Sequence, residues 1–371
     1  MKIAVFHNFM DNIGGAEMVS LTLARELNAD LYTTNIDSGK IEKTGFADVL
    51  PRIKSIGKIP RNAPLRQQLA LWKFRRLDLR GKYDFFIISG DWAMSGAVNN
   101  KPNLWYVHSP LNELWQFKDY IREEILSWWK RPIYDIWVWI NRRLTLSYSK
   151  YVDILICNSK NTQNRIKKYY NKDAVIIFPP TDISKYRCRQ SKNYWLSVNR
   201  LITHKRIELQ TKAFSKLPDE RLIIVGSYEK GARQFEKYKK YIEKTKPANV
   251  EIINWADDRK LTELYSECKG FITTAKDEDF GMTAVEAMAS GKPVIAPNDG
   301  GYKESVINNV TGILIDNIDE GNLKNAIERI RGELDRNQDI YRYESMKRSK
   351  IFNKEEFISK IKEQIKNLYE N

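Results

Sequence analysis

Short runs of β-branched and aromatic residues alternate with helically spaced apolar positions along almost the whole chain, the pattern of βα units wound around parallel sheets. In the first half the expected strands are KIAVFHN, DLYTT, YDFFIIS, NLWYVHS, DILICNS and AVIIFPP. In the second half they are YWLSVNR, RLIIVGS, VEIINW, GFITTA, KPVIAPN and GILID, so each half has enough strands for its own doubly wound sheet. The best break follows Phe178, where Pro179-Pro180-Thr181-Asp182 ends an apolar strand and continues into neither helix nor sheet, which puts a boundary near residue 182. From Glu355 to Tyr369, Phe357, Ile361, Ile365 and Leu368 recur at helical spacing and predict a terminal amphipathic helix that needs a surface to cover.

Length agrees with this division: 371 residues with 42% hydrophobic content support two α/β cores and argue against disorder. Cys157, Cys188 and Cys268 stand far apart without CxxC spacing, which indicates neither a zinc site nor a disulfide framework and favours a reducing, cytoplasmic setting. The opening MKIAVFHNF is too short and too polar for a signal peptide and is expected to be a first strand. No run approaches the roughly 20 apolar residues of a membrane-spanning helix.

Charge adds a partner to consider. Against 47 Asp+Glu the chain has 62 Lys+Arg, a net of +15, so a polyanion or an anionic surface is expected. The excess is concentrated from Arg52 to Lys82, where Arg66, Lys73, Arg76 and Arg80 belong to a basic cluster faced within that window only by Asp78.

Three stretches carry candidate chemistry. Gly14 and Gly15, between the first strand and a helix, form a turn whose free amides and helix dipole suit an anion, though the stretch is not the GxGxxG dinucleotide fingerprint. SVNRLITHKRIE places Arg200 and Lys205 around a second strand-to-helix turn, where a guanidinium fork and an ammonium can neutralise a diphosphate; His204 between them is expected at the surface. In KDEDFGMTAVEAMASG, a helix beginning near Met282 and closed by Gly291 tilts Glu286 back toward its own start, so that Glu278 and Glu286 can approach one ligand beside the amides of Gly281, Met282 and Thr283. Asp277-Glu278-Asp279 also admits a magnesium or manganese site. Asn158-Ser159 is expected to cap the helix NTQNRIKKYY.

EDFGMTAVE, Glu278 to Glu286, resembles the E-x7-E motif of the family-4 retaining nucleotide-sugar glycosyltransferases, and AMASGKPVIA with the following GGYKESV is similar to what succeeds it there. GGAE at Gly14, HSP at His108 and NRLITHK at Asn199 match in order, so the resemblance spans essentially the full chain. It implies a GT-B fold: an acceptor-binding Rossmann-like domain over residues 1–182, a nucleotide-sugar-binding one over 183–350, a cleft between them, and a C-terminal helix over 351–371 packing back on the first. It further implies that Arg200 and Lys205 hold the donor diphosphate, that Glu286 bonds the ribose, and that Glu278 with the amides of Phe280, Gly281 and Met282 orients the sugar. Gly15 would approach the phosphate, and His108 would lie beside the sugar at the reacting face. Such enzymes generally need no metal and no cofactor, the nucleotide sugar being a substrate. Tyr302 and Glu304, after Gly300-Gly301, are expected to border the cleft.

YVHSPLNELW is similar to the corresponding segment of mannosyltransferases that build surface polysaccharides or lipid-linked glycans, which points to GDP-mannose; UDP-sugars stay open. Between Trp115 and Trp139, Trp128, Trp129 and further tryptophans are interspersed with cations, a composition suited either to a lipid headgroup interface or to core packing and a sugar acceptor. Together with the basic cluster this leads to an expectation of peripheral contact with an anionic membrane at its cytoplasmic face. A sugar-nucleotide epimerase of related fold, and a basic membrane- or nucleic-acid-binding module, are the rival readings; both leave the ordered set of motifs unexplained, and no nucleic-acid partner is expected.

Overall fold

A computed structural model describes residues 1–61, 63–227 and 233–370 of the chain. They divide into two compact units, Met1–Pro180 with Phe357–Asn371, and Thr181–Glu356.

The first unit is built on a seven-stranded sheet: β1 (Ile3–Phe6), β2 (Asp30–Thr33), β3 (Ile53–Ser55), β4 (Phe85–Ile88), β5 (Asn103–Val107), β6 (Ile154–Cys157) and β7 (Val175–Ile176). The order is β3-β2-β1-β4-β5-β6-β7, and every pairing is parallel. β3 is absent from the expected set because IKS is short and lies within the basic window. Successive residues serve opposite faces: Ile3, Val5, Phe85, Ile87, Leu104 and Tyr106 enter one buried cluster, and Ala4, Phe6, Phe86, Ile88, Trp105 and Val107 enter another. A sheet buried on both sides explains why these strands read as continuous apolar runs. The terminal helix Lys354–Glu370 lays Phe357, Ile361 and Ile365 into the first cluster, with the Phe357 ring edge-on to Tyr106 at 5.5 Å.

The second unit has a six-stranded parallel sheet of β8 (Trp195–Arg200), β9 (Leu222–Ser227), β10 (Val250–Ile253), β11 (Phe271–Ile272), β12 (Val294–Pro297) and β13 (Gly312–Ile315), ordered β10-β9-β8-β11-β12-β13. In each sheet the chain runs outward from one strand and then restarts on its other side. The reversal falls between β1 and β4 in the first unit and between β8 and β11 in the second. Such switch points open crevices at the carboxyl ends of the strands, where α/β proteins bind ligands.

Part of the basic window is paired, by acids outside it and by Asp78 within it. Lys54, on β3, pairs with Asp30 of β2 at 2.5 Å, and Arg66 pairs with Asp11 while stacking on Phe9 at 3.7 Å. Lys73 turns inward and donates to the Ile56 carbonyl at 3.0 Å, and Arg80 pairs with Asp78 at 2.5 Å. Arg66 and Lys73 therefore leave the surface cluster expected of them, while Arg76 and Arg80 stay exposed. Trp115 leaves it too, being partly buried and stacked on Tyr169 at 4.9 Å under the Arg142 guanidinium. Trp128 and Trp129 are 79% and 55% exposed, just before the helix Arg131–Tyr148. On that helix Ile133, Ile136, Trp139 and Ile140 are also exposed, while Val138, Asn141 and Thr145 face inward. Among the described residues no helix is long and apolar enough to cross a membrane.

Candidate active site

In the second unit β8 ends at Arg200, and a single 3-10 turn, Thr203–Lys205, leads through Arg206 in left-handed conformation (φ 50°) into the helix Ile207–Ser215. This turn is tied to the far side of the switch point. The Thr274 hydroxyl donates to the Lys205 carbonyl at 2.7 Å, Arg206 Nε donates to the Thr274 carbonyl at 2.7 Å, and the Lys276 amide donates to the His204 carbonyl at 2.9 Å. The result is a fixed meeting of Lys205 with Glu278, whose ammonium and carboxylate form an ion pair with side chains only 11% and 21% exposed. Burial works against a charge on Glu278, but Lys205, with lesser contributions from His204 and Arg200, holds its carboxyl below the usual range. Arg200 itself is exposed.

His204 departs from its expected surface position. Half-buried in the locked turn, it has its pKa brought down to about 4 by burial and by the Lys205 charge, against the pull of Glu278.

The acidic loop is held from behind. Gly281 caps the helix Met282–Ala289 at φ 85°, and a Cβ there would meet the Tyr302 ring at 2.4 Å. The Gly301 amide donates to the Glu278 carbonyl at 2.8 Å, and a Cβ on Gly301 would come within 2.3 Å of Phe280 Cα. Tyr302 is 1% exposed, with its hydroxyl 2.8 Å from that of Thr273, so it braces the loop from the core instead of bordering an opening. The Phe280 side chain is likewise buried, which leaves the backbone of this loop and the first-turn amides of Met282 and Thr283 as the groups that can meet a ligand.

Glu286 has other neighbours. The Tyr265 hydroxyl donates to its carboxylate at 2.8 Å, Tyr186 bonds it as well, and Lys185 lies within electrostatic reach. Burial raises its pKa despite these partners. The two glutamates of the motif are thus shifted in opposite directions: Lys205 lowers the pKa of Glu278, and burial raises that of Glu286 between two phenols. Tyr186 and Tyr265 were not legible as site residues, because neither adjoins a motif. Among the described residues no group of three or more His, Cys, Asp or Glu is arranged to hold a metal ion.

At the switch point of the first unit, the residues just past β1, β4 and β5 are His7, Ser89 and His108. His108 Nε2 lies 2.9 Å from the Ser89 hydroxyl, which accepts from Ser20 at 2.8 Å. The Ser20 hydroxyl in turn lies 2.9 Å from His7 Nδ1, and His7 Nε2 lies 3.1 Å from Glu17 Oε1. The Asn158 amide group donates to the His108 carbonyl at 2.7 Å, while Ser159 caps the following helix by accepting from the Thr162 amide at 3.0 Å. Burial above all, with a smaller effect of His7, lowers the His108 pKa to about 3, so the ring is neutral at physiological pH. The glycine turn differs from expectation in one respect: the Gly14 amide is taken by Glu17 Oε2 at 2.9 Å and is not free for a ligand, whereas Gly15 is exposed as the first residue of the helix Gly15–Glu26.

Two sheets of this topology, each with its polar groups gathered at the switch point, define the GT-B class of glycosyltransferases. The structure aligns with that of Anabaena Alr3699/HepE in complex with UDP and glucose at a TM-score of 0.76, with 19% identity and 99% of both chains covered. It aligns equally with sucrose-phosphate synthase from Thermosynechococcus elongatus, at 0.76, 18% identity and 99% of both chains. The sequence matches the family Glycosyltransferase Family 4 over residues 13–185 and Glycosyl transferases group 1 over residues 178–344, and the chain belongs to this glycosyltransferase family. The alpha-1,3/1,6-mannosyltransferase ALG2 of Rhizomucor pusillus is 26% identical over 85% of this chain and 80% of its own length, and that of Candida glabrata is 27% identical over 83% and 78%. An uncharacterized glycosyltransferase of Methanocaldococcus jannaschii is 25% identical over 47% of this chain, which spans about half (48%) of that relative.

Proposed function

We propose that this glycosyltransferase moves mannose from GDP-mannose to a lipid-linked or glycan acceptor with retention of anomeric configuration. The observation that supports this most is the Lys205–Glu278 pair at the switch point of the second unit, beside Arg200 and the first-turn amides of the helix Met282–Ala289. Transfer from a sugar diphosphate needs stabilisation of a departing dianion and of a cationic sugar centre, and fixed cations, amides and a carboxylate are the groups that supply it. Arg200 and Lys205 hold the diphosphate, Glu278 with the backbone of Phe280, Gly281 and Met282 orients the sugar, and Glu286 accepts the ribose hydroxyls. In the first unit Gly15 approaches the phosphate and His108 contacts the sugar. A donor phosphate oxygen takes the acceptor proton on the face the leaving group vacates. No metal is required, because the cations and amides do its work.

Mannose is favoured by the YVHSPLNELW segment and by the two mannosyltransferase relatives, each matched over more than three quarters of its length. Contact with an anionic membrane, at its cytoplasmic face, is carried by the exposed stripe of Trp128, Trp129, Ile133, Ile136, Trp139 and Ile140, edged by Lys130 and by Arg143, which lies 4.0 Å over the Trp139 ring. Thermal-shift and calorimetric titration with GDP-mannose, GDP-glucose, UDP-glucose and UDP-N-acetylglucosamine tests the donor. A response to GDP-mannose above the others supports the reading, and preference for a UDP-sugar replaces it.

A further inference from the structure

The helix Arg131–Tyr148 becomes charged where its exposed apolar stripe ends. Ile133, Ile136 and Ile140 recur at spacings of three and four, and the next residue on that face is Arg143. Beside it a cavity of about 540 Å³ opens in the first unit, between this helix and the turn that begins at Lys118. Trp115 and Trp139 form part of its wall, and its charged lining consists of four cations and two carboxylates.

The carboxylates account for two of the cations. Asp135 accepts from Arg122 at 2.9 Å and lies 3.6 Å from Lys118, while Asp119 lies 3.8 Å from Lys118. Arg122 also faces Glu123 at 3.9 Å. The other two cations, Arg142 and Arg143, have neutral partners among the described residues. Arg142 donates from Nε to the Leu114 carbonyl at 2.8 Å and lies 4.4 Å over the Trp115 ring, which leaves its terminal N–H groups for a ligand. Arg143 lies 4.0 Å over the Trp139 ring. A carbonyl and two indole faces restrain these guanidinium groups without cancelling their charge, so little side-chain entropy is left to lose when an anion arrives.

Two uncompensated charges select among ligands. A phosphodiester headgroup has one negative charge, whereas the diphosphate that joins a lipid-linked glycan to its lipid has two. The stripe beside the cavity adds a second requirement, a ligand whose other end belongs in a bilayer. Trp115 stands seven positions after His108. That stretch spans at most about 25 Å, which keeps a glycan attached to such a diphosphate within reach of the proposed reacting face. We propose that this cavity binds the diphosphate of a lipid-linked acceptor, with Arg142 and Arg143 as its anion partners and the lipid chain leaving along the exposed face of the helix. The site rests on the lipid-linked acceptor of the proposed function and adds the place and charge of the group recognised.

Vesicle binding of the full-length chain, without donor, tests it. Phosphatidylcholine vesicles doped with polyprenyl diphosphate are compared by flotation with vesicles given the same total charge with phosphatidylglycerol. The wild type should prefer the diphosphate vesicles about tenfold or more, the worth of one charge-assisted hydrogen bond. Arg142→Gln with Arg143→Gln should abolish that preference, and Arg143→Gln alone, at a side chain held by an indole face and no hydrogen bond among the described residues, should reduce it. Arg76→Gln with Arg80→Gln removes the same charge from elsewhere on the unit and should preserve it. Equal binding to the two vesicles, a preference that survives the loss of Arg142 and Arg143, or one lost as fully with Arg76 and Arg80 overturns the proposal. So does binding of inorganic pyrophosphate to these arginines with no preference between vesicles, which would assign the cavity to a soluble anion. Binding is read without turnover, so the two readings fail separately. A wild type that mannosylates a lipid-linked acceptor, with an unchanged acceptor KM in the Arg142 and Arg143 double variant, sinks the site and leaves the transfer standing. A diphosphate preference in a chain that transfers no mannose upholds the site and removes the mannose.

Discussion

Replacing Lys205 by alanine separates the two tasks proposed for its ammonium. Without donor, the change leaves the Glu278 carboxylate in place without its main cation. Breaking a fully buried pair costs about 3–5 kcal/mol. Here the side chains retain 11% and 21% exposure, so solvent recovers part of that, and about 1–3 kcal/mol is expected. In a unit of this size that corresponds to a fall of roughly 3–10 °C in Tm. The loss has a definite pH signature. Glu278 has a folded-state pKa below its ordinary value of 4.5, so its pairing stabilises the wild type above that value and ceases to do so as pH falls through the lower, folded one. In the variant burial is opposed only by the lesser contributions of His204 and Arg200, so the pKa rises relative to the wild type. The difference in Tm should therefore be small near pH 4 and open as pH rises toward 6. With donor, the diphosphate loses one charge-assisted bond, worth about 1.5–3 kcal/mol, or roughly 10- to 150-fold in Kd. Calorimetry with GDP-mannose and melting curves from pH 4 to 8 measure both. A Kd within twofold of wild type, or a Tm gap that does not change with pH, would refute the reasoning.

Glu278→Gln should have a contrasting profile: it releases Lys205, so GDP binds at least as tightly as to the wild type in calorimetry, while the transfer rate falls at least a hundredfold because the sugar loses its carboxylate (on the order of 3 kcal/mol). Glu286→Ala should weaken GDP-mannose about tenfold or more, and Tyr265→Phe, which removes one hydroxyl bond to that carboxyl, by less; equal affinity across all three proteins would remove Glu286 from the donor site. Gly281→Ala should destabilise by about 1–3 kcal/mol in denaturant titration, since a methyl there meets Tyr302 in a left-handed backbone; wild-type stability would contradict the brace. Vesicle co-sedimentation should show Trp128→Ser with Ile136→Ser losing binding to anionic vesicles and Arg80→Gln, already paired with Asp78, changing little; the reverse ranking would return docking to the basic window.

The strands were legible because a sheet covered on both faces forces continuous apolar runs, and the motif glycines because a left-handed cap at Gly281 admits little else. β3 was not, since a three-residue edge strand carries no periodicity and its lysine read as charge. Pairing within the basic window was hidden for a related reason: Asp11 and Asp30, which pair with Arg66 and Lys54, come from other parts of the chain, and pairing across a sheet is invisible to a local count of charge. At the candidate site, Arg200, Lys205, Glu278 and Glu286 lay within recognisable motifs. Tyr186 and Tyr265, which surround Glu286, and His7, Ser20 and Ser89, which with Glu17 of the GGAE stretch reach His108, are brought there by topology. Histidine directly after the first strand and serine directly after FFII were the signals available, each sitting where a switch-point crevice begins.

Transfer itself tests the central claim most directly. Purified full-length protein with GDP-mannose, a lipid-phosphate-linked glycan acceptor and excess EDTA should yield a mannosylated product whose one-bond C1–H1 coupling in NMR shows the α configuration of the donor. Product with inverted configuration, or transfer that stops with EDTA and returns with manganese, or no transfer from any nucleotide sugar, would contradict the account.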